Sequence, residues 1–218
     1  MSIKPFQENY KAFIFDMDGT MVDNMMVHHR AWQKKLSELG MPLDIEEVRK
    51  KIHGVNEEIL ARLFGDSLSA KERLFHAEDK EAQYREIFKD KLGLIDGLDE
   101  FLNEAKSHNI RLAIGTAAPM DNVDFVLDNL SIRELFEVVV DAEGVSKGKP
   151  DPEIYLTIME KMGLEPGECL IFEDSPTGAE AAVLSGAKTI VVTTTHEPQE
   201  FAHLQVAGFI QNFSELRV

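Results

Sequence analysis

Short apolar runs punctuate the chain at residues 12–15, 111–114, 138–140, 170–172 and 189–192. Runs this short, rich in branched and aromatic residues and bounded by polar or turn residues, read as strands buried on both faces. From Leu98 onward they alternate with segments of helical periodicity. That alternation predicts parallel strands joined by crossover helices, an α/β doubly wound parallel-sheet (Rossmann-like) core. Helix punctuation agrees with it. In Asp151-Pro152-Glu153-Ile154, Asp151 suits a cap and Pro152 the first turn, and Pro176 marks a further start with Ser185-Gly186 at its end.

Between about Asn24 and Lys91 the pattern changes. No strand-like run occurs, and Met25, His28, Trp32, Leu36 and Leu39 fall on one stripe at helical spacing. The segment reads as an all-helical cap domain inserted after the first strand. The expected division is residues 1–23 with 94–218 for the core and 24–93 for the cap, with the active site between them.

Composition narrows the field of partners. The 218 residues are 44% hydrophobic, ample for a sizeable core, and carry a formal charge of −16. Such acidity opposes binding to nucleic acid or an anionic membrane, and any anion site must be locally cationic. The single cysteine, Cys169, lies in an apolar run and reads as a small buried hydrophobe; a lone cysteine rules out an internal disulfide and fits a reducing compartment. The first eleven residues lack the apolar heart of a signal peptide, and no stretch has the length of a membrane span. A soluble, cytoplasmic protein is the expectation; the sequence leaves the oligomeric state open, with a monomer favoured.

Four polar blocks stand at or just after predicted strands: Asp16-Met17-Asp18-Gly19-Thr20, Gly115-Thr116-Ala117-Ala118, Lys149-Pro150-Asp151-Pro152 and Phe172-Glu173-Asp174-Ser175. In a parallel sheet all four reach the carboxyl edge, where doubly wound folds bind ligands. Asp16, Asp18, Glu173 and Asp174 would then crowd four negative charges into one crevice, opposed by Lys149. A phosphate dianion cannot enter such a site unaided. A hard divalent cation bound by oxygens resolves the conflict, and Mg²⁺ suits a site that joins carboxylates to phosphate oxygens.

Taken together the blocks resemble the motifs of the haloacid dehalogenase superfamily, in the branch of β-phosphoglucomutase and sugar-phosphate phosphatases with a helical cap. The resemblance runs from Lys11 to about Phe213. It implies Asp16 as nucleophile and Asp18 as general acid and then base. It implies Mg²⁺ on Asp16, the Asp18 carbonyl and Asp174 with Glu173 close by. Phosphoryl oxygens would fall to Thr116 and the Ala117 amide, and charge neutralisation to Lys149. Gly19 and Thr20 suit a tight turn and its anchoring. In the cap, His28, His53, Gly54, Asn56 and Lys80 are the candidate substrate residues. His29, Trp32 and the charge runs at residues 46–51 and 71–80 otherwise read as packing or solvated faces.

The resemblance breaks in one informative place. His53-Gly54-Val55-Asn56-Glu57 puts a carboxylate where the mutases carry an arginine for the substrate's second phosphate, and Ala118-Pro119-Met120 replaces polar residues after Thr116. Exchanging a guanidinium for a carboxylate removes a bidentate donor and adds repulsion. The expectation is therefore a Mg²⁺-dependent phosphatase acting on a small phosphorylated metabolite, with a phosphohexomutase as the alternative. Dehalogenase and phosphonatase chemistry fit Asp18, Glu173 and Asp174 poorly. A non-catalytic phosphate-responsive module fits poorly with intact Asp16, Asp18 and Lys149.

Overall fold

A computed structural model describes residues 4–52 and 54–216. The chain divides into two compact units, one of residues up to Asp23 together with those from Gly93, the other Asn24–Leu92.

The first unit is built on six parallel strands: β1 (Ala12–Phe15), β2 (Arg111–Gly115), β3 (Val138–Val140), β4 (Cys169–Glu173), β5 (Lys188–Val192) and β6 (Gly208–Ile210), in the order β3-β2-β1-β4-β5-β6. Its helices are α5 (Leu98–Ser107), α6 (Met120–Asn129), α7 (Glu153–Met162) and α8 (Pro176–Leu184). All five predicted runs are strands; β6, an edge strand, is an addition. The order reverses between β1 and β4, which makes their carboxyl ends the switch point where such sheets take ligands.

Strand alternation sorts the core onto two faces. Ala12, Ile14, Ala113 and Ile171 pack with Ile154, Tyr155, Ile158, Ala181 and Ala182 of α7 and α8. Phe13, Phe15 and Phe172 point the other way, where Phe15 and Phe172 stack at 4.9 Å and Phe13 stacks on Phe101 of α5 at 5.3 Å. Phe213 joins the same aromatic cluster. A floor this rigid fixes what the strand ends carry. Cys169 opens β4, fully buried, and burial pushes its thiol up to about 11.

Helix starts follow the punctuation, with one shift. Pro176 begins α8 and Ser175 caps it by accepting from the Gly178 amide. Pro152 is itself the N-cap residue of α7, without a side-chain cap bond, so Asp151 lies one position before the cap and accepts from the Glu153 amide at 3.1 Å.

The second unit is helical, with no strand among its described residues: α1 (Met25–Glu38), α2 (Ile45–Lys51), α3 (Asn56–Phe64) and α4 (Ala70–Phe88). Asp44 with Glu47, and Ser69 with Glu72, form capping boxes that start α2 and α4. Trp32 and Leu36 of the predicted stripe pack with Val48, Ile52, Ile59, Leu60 and Ala77, so Trp32 is core. The boundary falls at Gly93, one residue before the expected one.

Candidate active site

The register delivers three of the four blocks to one edge. Phe15 pairs with Ile114 on one side and Phe172 on the other, so Asp16, Gly115 and Glu173 follow at the same level. The Asp16 amide donates to the Phe172 carbonyl at 2.9 Å, and the Thr116 amide to that of Val140 at 3.0 Å. The fourth block arrives through Lys149. Its Nζ donates to Asp16 Oδ1 at 2.5 Å, Glu173 Oε1 at 2.6 Å and the Gly115 carbonyl at 3.1 Å, tying all four blocks together.

Asp16, Glu173, Asp174 and Thr116 are buried, whereas Asp18 is half-buried and Ala117 exposed. Thr116 accepts from the Ala118 amide at 3.1 Å, so its hydroxyl shapes the turn that would present neighbouring amides to an anion. Gly19 adopts φ +82, open to glycine at little cost, and Thr20 Oγ1 donates to Asp174 Oδ1 at 3.2 Å, so Thr20 reaches the site directly.

Glu173 is the most saturated group. Oε1 accepts from Lys149 and from the Tyr155 hydroxyl at 2.8 Å; Oε2 accepts from the amides of Asp174 and Ser175 and from Ser175 Oγ. Tyr155, on α7, was not singled out in the sequence, where its spacing marks it only as a core position. Room for the carboxylate depends on Gly178: a Cβ there would fall 1.9 Å from Glu173 Oε1.

Three carboxylates offer oxygens within 4.8 Å of one another, from Asp16, Glu173 and Asp174. Lys149 alone opposes them in these contacts, and the electrostatics record the imbalance. Burial, joined by the Glu173 charge, pushes Asp174 up to about 7. Burial likewise holds Asp16 well above the carboxylate range, despite Lys149 beside it. Burial works against the Lys149 charge, yet Asp16 and Glu173 more than offset it and hold Lys149 well above its ordinary value. A buried oxygen cluster short of positive charge suits a hard divalent cation. The saturation of Glu173 favours Asp16 and Asp174 as direct ligands. The Asp18 carboxylate stands outside the cluster, which suits a proton carrier.

Among the helical unit's candidates, His28, Asn56 and Lys80 come together and Gly54 does not. Lys80 Nζ lies 2.9 Å from His28 Nδ1 and 2.8 Å from Glu81 Oε1, which also accepts from Asn56 Nδ2 at 2.6 Å. His28 stacks on Tyr84 at 3.9 Å, and Lys80 lies over the Trp32 ring. Gly54 is exposed, at φ +96, and His53 lies outside the described residues. Glu81 organises this cluster and was missed; its signal was the α4 stripe Ala77, Lys80, Glu81, Tyr84 and Phe88, all buried.

The family model described as haloacid dehalogenase-like hydrolase matches residues 10–186. A phosphorylated carbohydrates phosphatase of Thermotoga maritima is 32% identical over 181 residues, spanning 83% of each chain. The β-phosphoglucomutase of Bacillus subtilis is 30% identical over 184 residues, 81% of this chain and 80% of that one. Among solved structures, a HAD hydrolase of family IA, variant 3, from Entamoeba histolytica superposes with a TM-score of 0.86 at 26% identity, over 95% of this chain and 96% of that one.

Proposed function

We propose that this chain, which belongs to the haloacid dehalogenase-like hydrolase family, hydrolyses a small phosphate monoester, with a phosphorylated carbohydrate as its substrate class. The observation that carries the reading is Lys149, whose ammonium bridges Asp16, Glu173 and the Gly115 carbonyl at the sheet's switch point. That arrangement holds one carboxylate ready beside a fixed positive charge, as covalent phosphoryl transfer demands.

An Asp16 oxygen attacks phosphorus while the bond to the leaving alcohol breaks, and Asp18 gives that alcohol its proton. Asp18, now a carboxylate, takes a proton from water as the water oxygen attacks the same phosphorus. The acyl phosphate bond breaks, releasing inorganic phosphate and restoring Asp16. Lys149 and the amides after Thr116 stabilise the oxygens on which charge accumulates. Asp16, Asp174 and the Asp18 main-chain carbonyl would hold Mg²⁺, with Glu173 beside them fixing Lys149. Bound there, the ion offsets the carboxylate charge that would otherwise repel the substrate.

The helical unit Asn24–Leu92 serves as the cap that selects substrate, and its residues favour water over a sugar hydroxyl as acceptor. Glu57 is exposed in the first turn of α3, and the Lys80 charge is already met by Glu81. By its likeness to the mutase motif, Glu57 stands where an arginine would take a second phosphate, and a carboxylate there speaks against holding one.

The test is phosphate release from a panel of sugar phosphates with Mg²⁺ and with EDTA. The parent protein should turn over only with Mg²⁺, and Asp16→Asn should abolish turnover with an unchanged circular dichroism spectrum. Metal-independent turnover, or an active Asp16→Asn, refutes the assignment. Rapid conversion of β-glucose 1-phosphate to glucose 6-phosphate, with little phosphate released, would make the mutase reading correct.

A further inference from the structure

The turn after β5, residues 193–196, carries none of the four sequence blocks, yet two of its hydroxyls reach into them. Thr194 Oγ1 donates to the Gly19 carbonyl. Thr195 Oγ1 lies 2.5 Å from Asp174 Oδ2, 3.0 Å from the Asp174 carbonyl and 2.8 Å from His196 Nδ1. We propose that Thr195 is a positioning residue that fixes the Asp174 carboxylate, with Thr194 holding the Gly19 turn against it, and thereby sets the site's affinity for a divalent cation. The inference rests on the reading of Asp174 as a Mg²⁺ ligand.

Hydrogen-bond accounting supports the assignment. A threonine hydroxyl has one proton, and both Asp174 oxygens near it are acceptors when the carboxylate is ionised. The shortest contact assigns that proton to Oδ2. His196 must then donate from Nδ1, giving a directed chain from His196 through Thr195 to Asp174. The other carboxylate oxygen, Oδ1, takes the Thr20 hydroxyl at 3.2 Å. Each oxygen is thus held by one neutral donor and keeps lone-pair capacity for an ion.

Steric confinement adds to this. A Cβ on Gly19 would fall 2.3 Å from Asp174 Oδ2 and 3.0 Å from Thr195 Cγ2, so the carboxylate lies pressed between the two residues. The branched Cβ of threonine restricts its own χ1, which keeps the donor aimed. Neutral donors are also the right kind. Lys149 orients Asp16 but brings a positive charge with it, whereas a hydroxyl orients Asp174 without adding a charge that competes with the ion.

Thr195→Val removes the donor at constant shape, and Thr195→Ser keeps it. Titrating each protein with Mg²⁺ by calorimetry, the Val variant should bind about 10–100-fold more weakly than the parent. The Ser variant should restore binding, and the Mg²⁺ concentration for half-maximal turnover should move in parallel. Parent-like Mg²⁺ affinity in the Val variant overturns the proposal. A parent protein that binds no Mg²⁺ refutes the metal reading itself, a separate outcome. Nitrogen-15 shifts of His196 in the unsubstituted protein give a check that needs no variant: a ring proton on Nδ1 is expected, and one confined to Nε2 overturns the proposed chain.

Discussion

The Tyr155 hydroxyl donates to Glu173 Oε1 at 2.8 Å, while the Tyr155 ring lies 5.2 Å below the Lys149 ammonium. One side chain thus supports both the buried acid and the cation that bridges to Asp16. Burial, reinforced by the Glu173 charge, keeps the phenol well above its ordinary pKa, so it stays a donor throughout the working range. Tyr155→Phe keeps the ring and deletes the donor. Hydrogen bonds to charged groups are worth about 1.5–3 kcal/mol, and urea denaturation should show a loss of that order. A variant as stable as the parent would mean that Glu173 does not need this donor.

Gly178 tests the same acid from the other side. A methyl group there would overlap Glu173 Oε1 and Cδ, at 1.9 and 2.1 Å, and a buried carboxylate with five donors has nowhere to retreat. Gly178→Ala should improve helix propensity yet destabilise the protein by about 1–3 kcal/mol, as overpacking does. Turnover should fall with it, because Lys149 loses its anchor. Gly163, with open space around it and a left-handed φ of +65, is the control in which Ala costs only backbone strain.

What the sequence made legible follows from what leaves a pattern. Runs such as Phe13-Ile14-Phe15 announce strands because burial on both faces admits nothing polar. Asp16 and Asp174 announce themselves because charge at a strand end is costly without a purpose, whereas Lys149, in the loop before α7, is marked only by its Pro-Asp-Pro context. The short edge strand β6 was not legible: Gly208 and Phe209 are partly exposed, and three residues make no run. Tyr155, Glu81 and Thr195 were missed for a different reason. Each sits where a core or loop residue is equally at home, and its role comes from a partner far away in sequence, Glu173, Asn56 and Asp174 respectively.

Lys35, buried in the helical unit, ties its stability to pH. Its ammonium meets Glu38 at 2.5 Å and Asp79 directly. Burial works against the charge, but the two carboxylates more than offset it and hold Lys35 above its ordinary pKa. Lys35 in turn holds Asp79 and Glu38 below the carboxylate range. Lowered carboxylates contribute stability above their unfolded pKa values near 4 and lose it as pH falls through the lower folded values. The raised lysine contributes below about 10.4 and loses it as pH climbs through its folded value. Denaturation midpoints should therefore run flat from about pH 5 to 10 for this network and fall on either side. With both acids partly exposed the amplitude should be no more than about 1 kcal/mol. Lys35→Met should flatten both limbs; unchanged limbs would remove the network from the account.

Glu81 decides what the Lys80 charge is for. Lys80 is 2% exposed, and its 2.8 Å pair with Glu81 is shielded from water by Trp32 and the His28–Tyr84 stack. Removing one member of a buried pair strands the other charge, at a cost of about 3–5 kcal/mol, whereas replacing both by apolar residues costs far less. Glu81→Gln should therefore destabilise the protein more than the double change Lys80→Met with Glu81→Leu, as read by thermal unfolding. Where Glu81→Gln remains folded, the Lys80 ammonium has lost this carboxylate and attracts anions more strongly than in the parent. KM for a sugar bisphosphate should then fall relative to KM for its monophosphate. A ratio of KM values equal to the parent's would show that Lys80 holds the helices together and has no part in choosing the substrate.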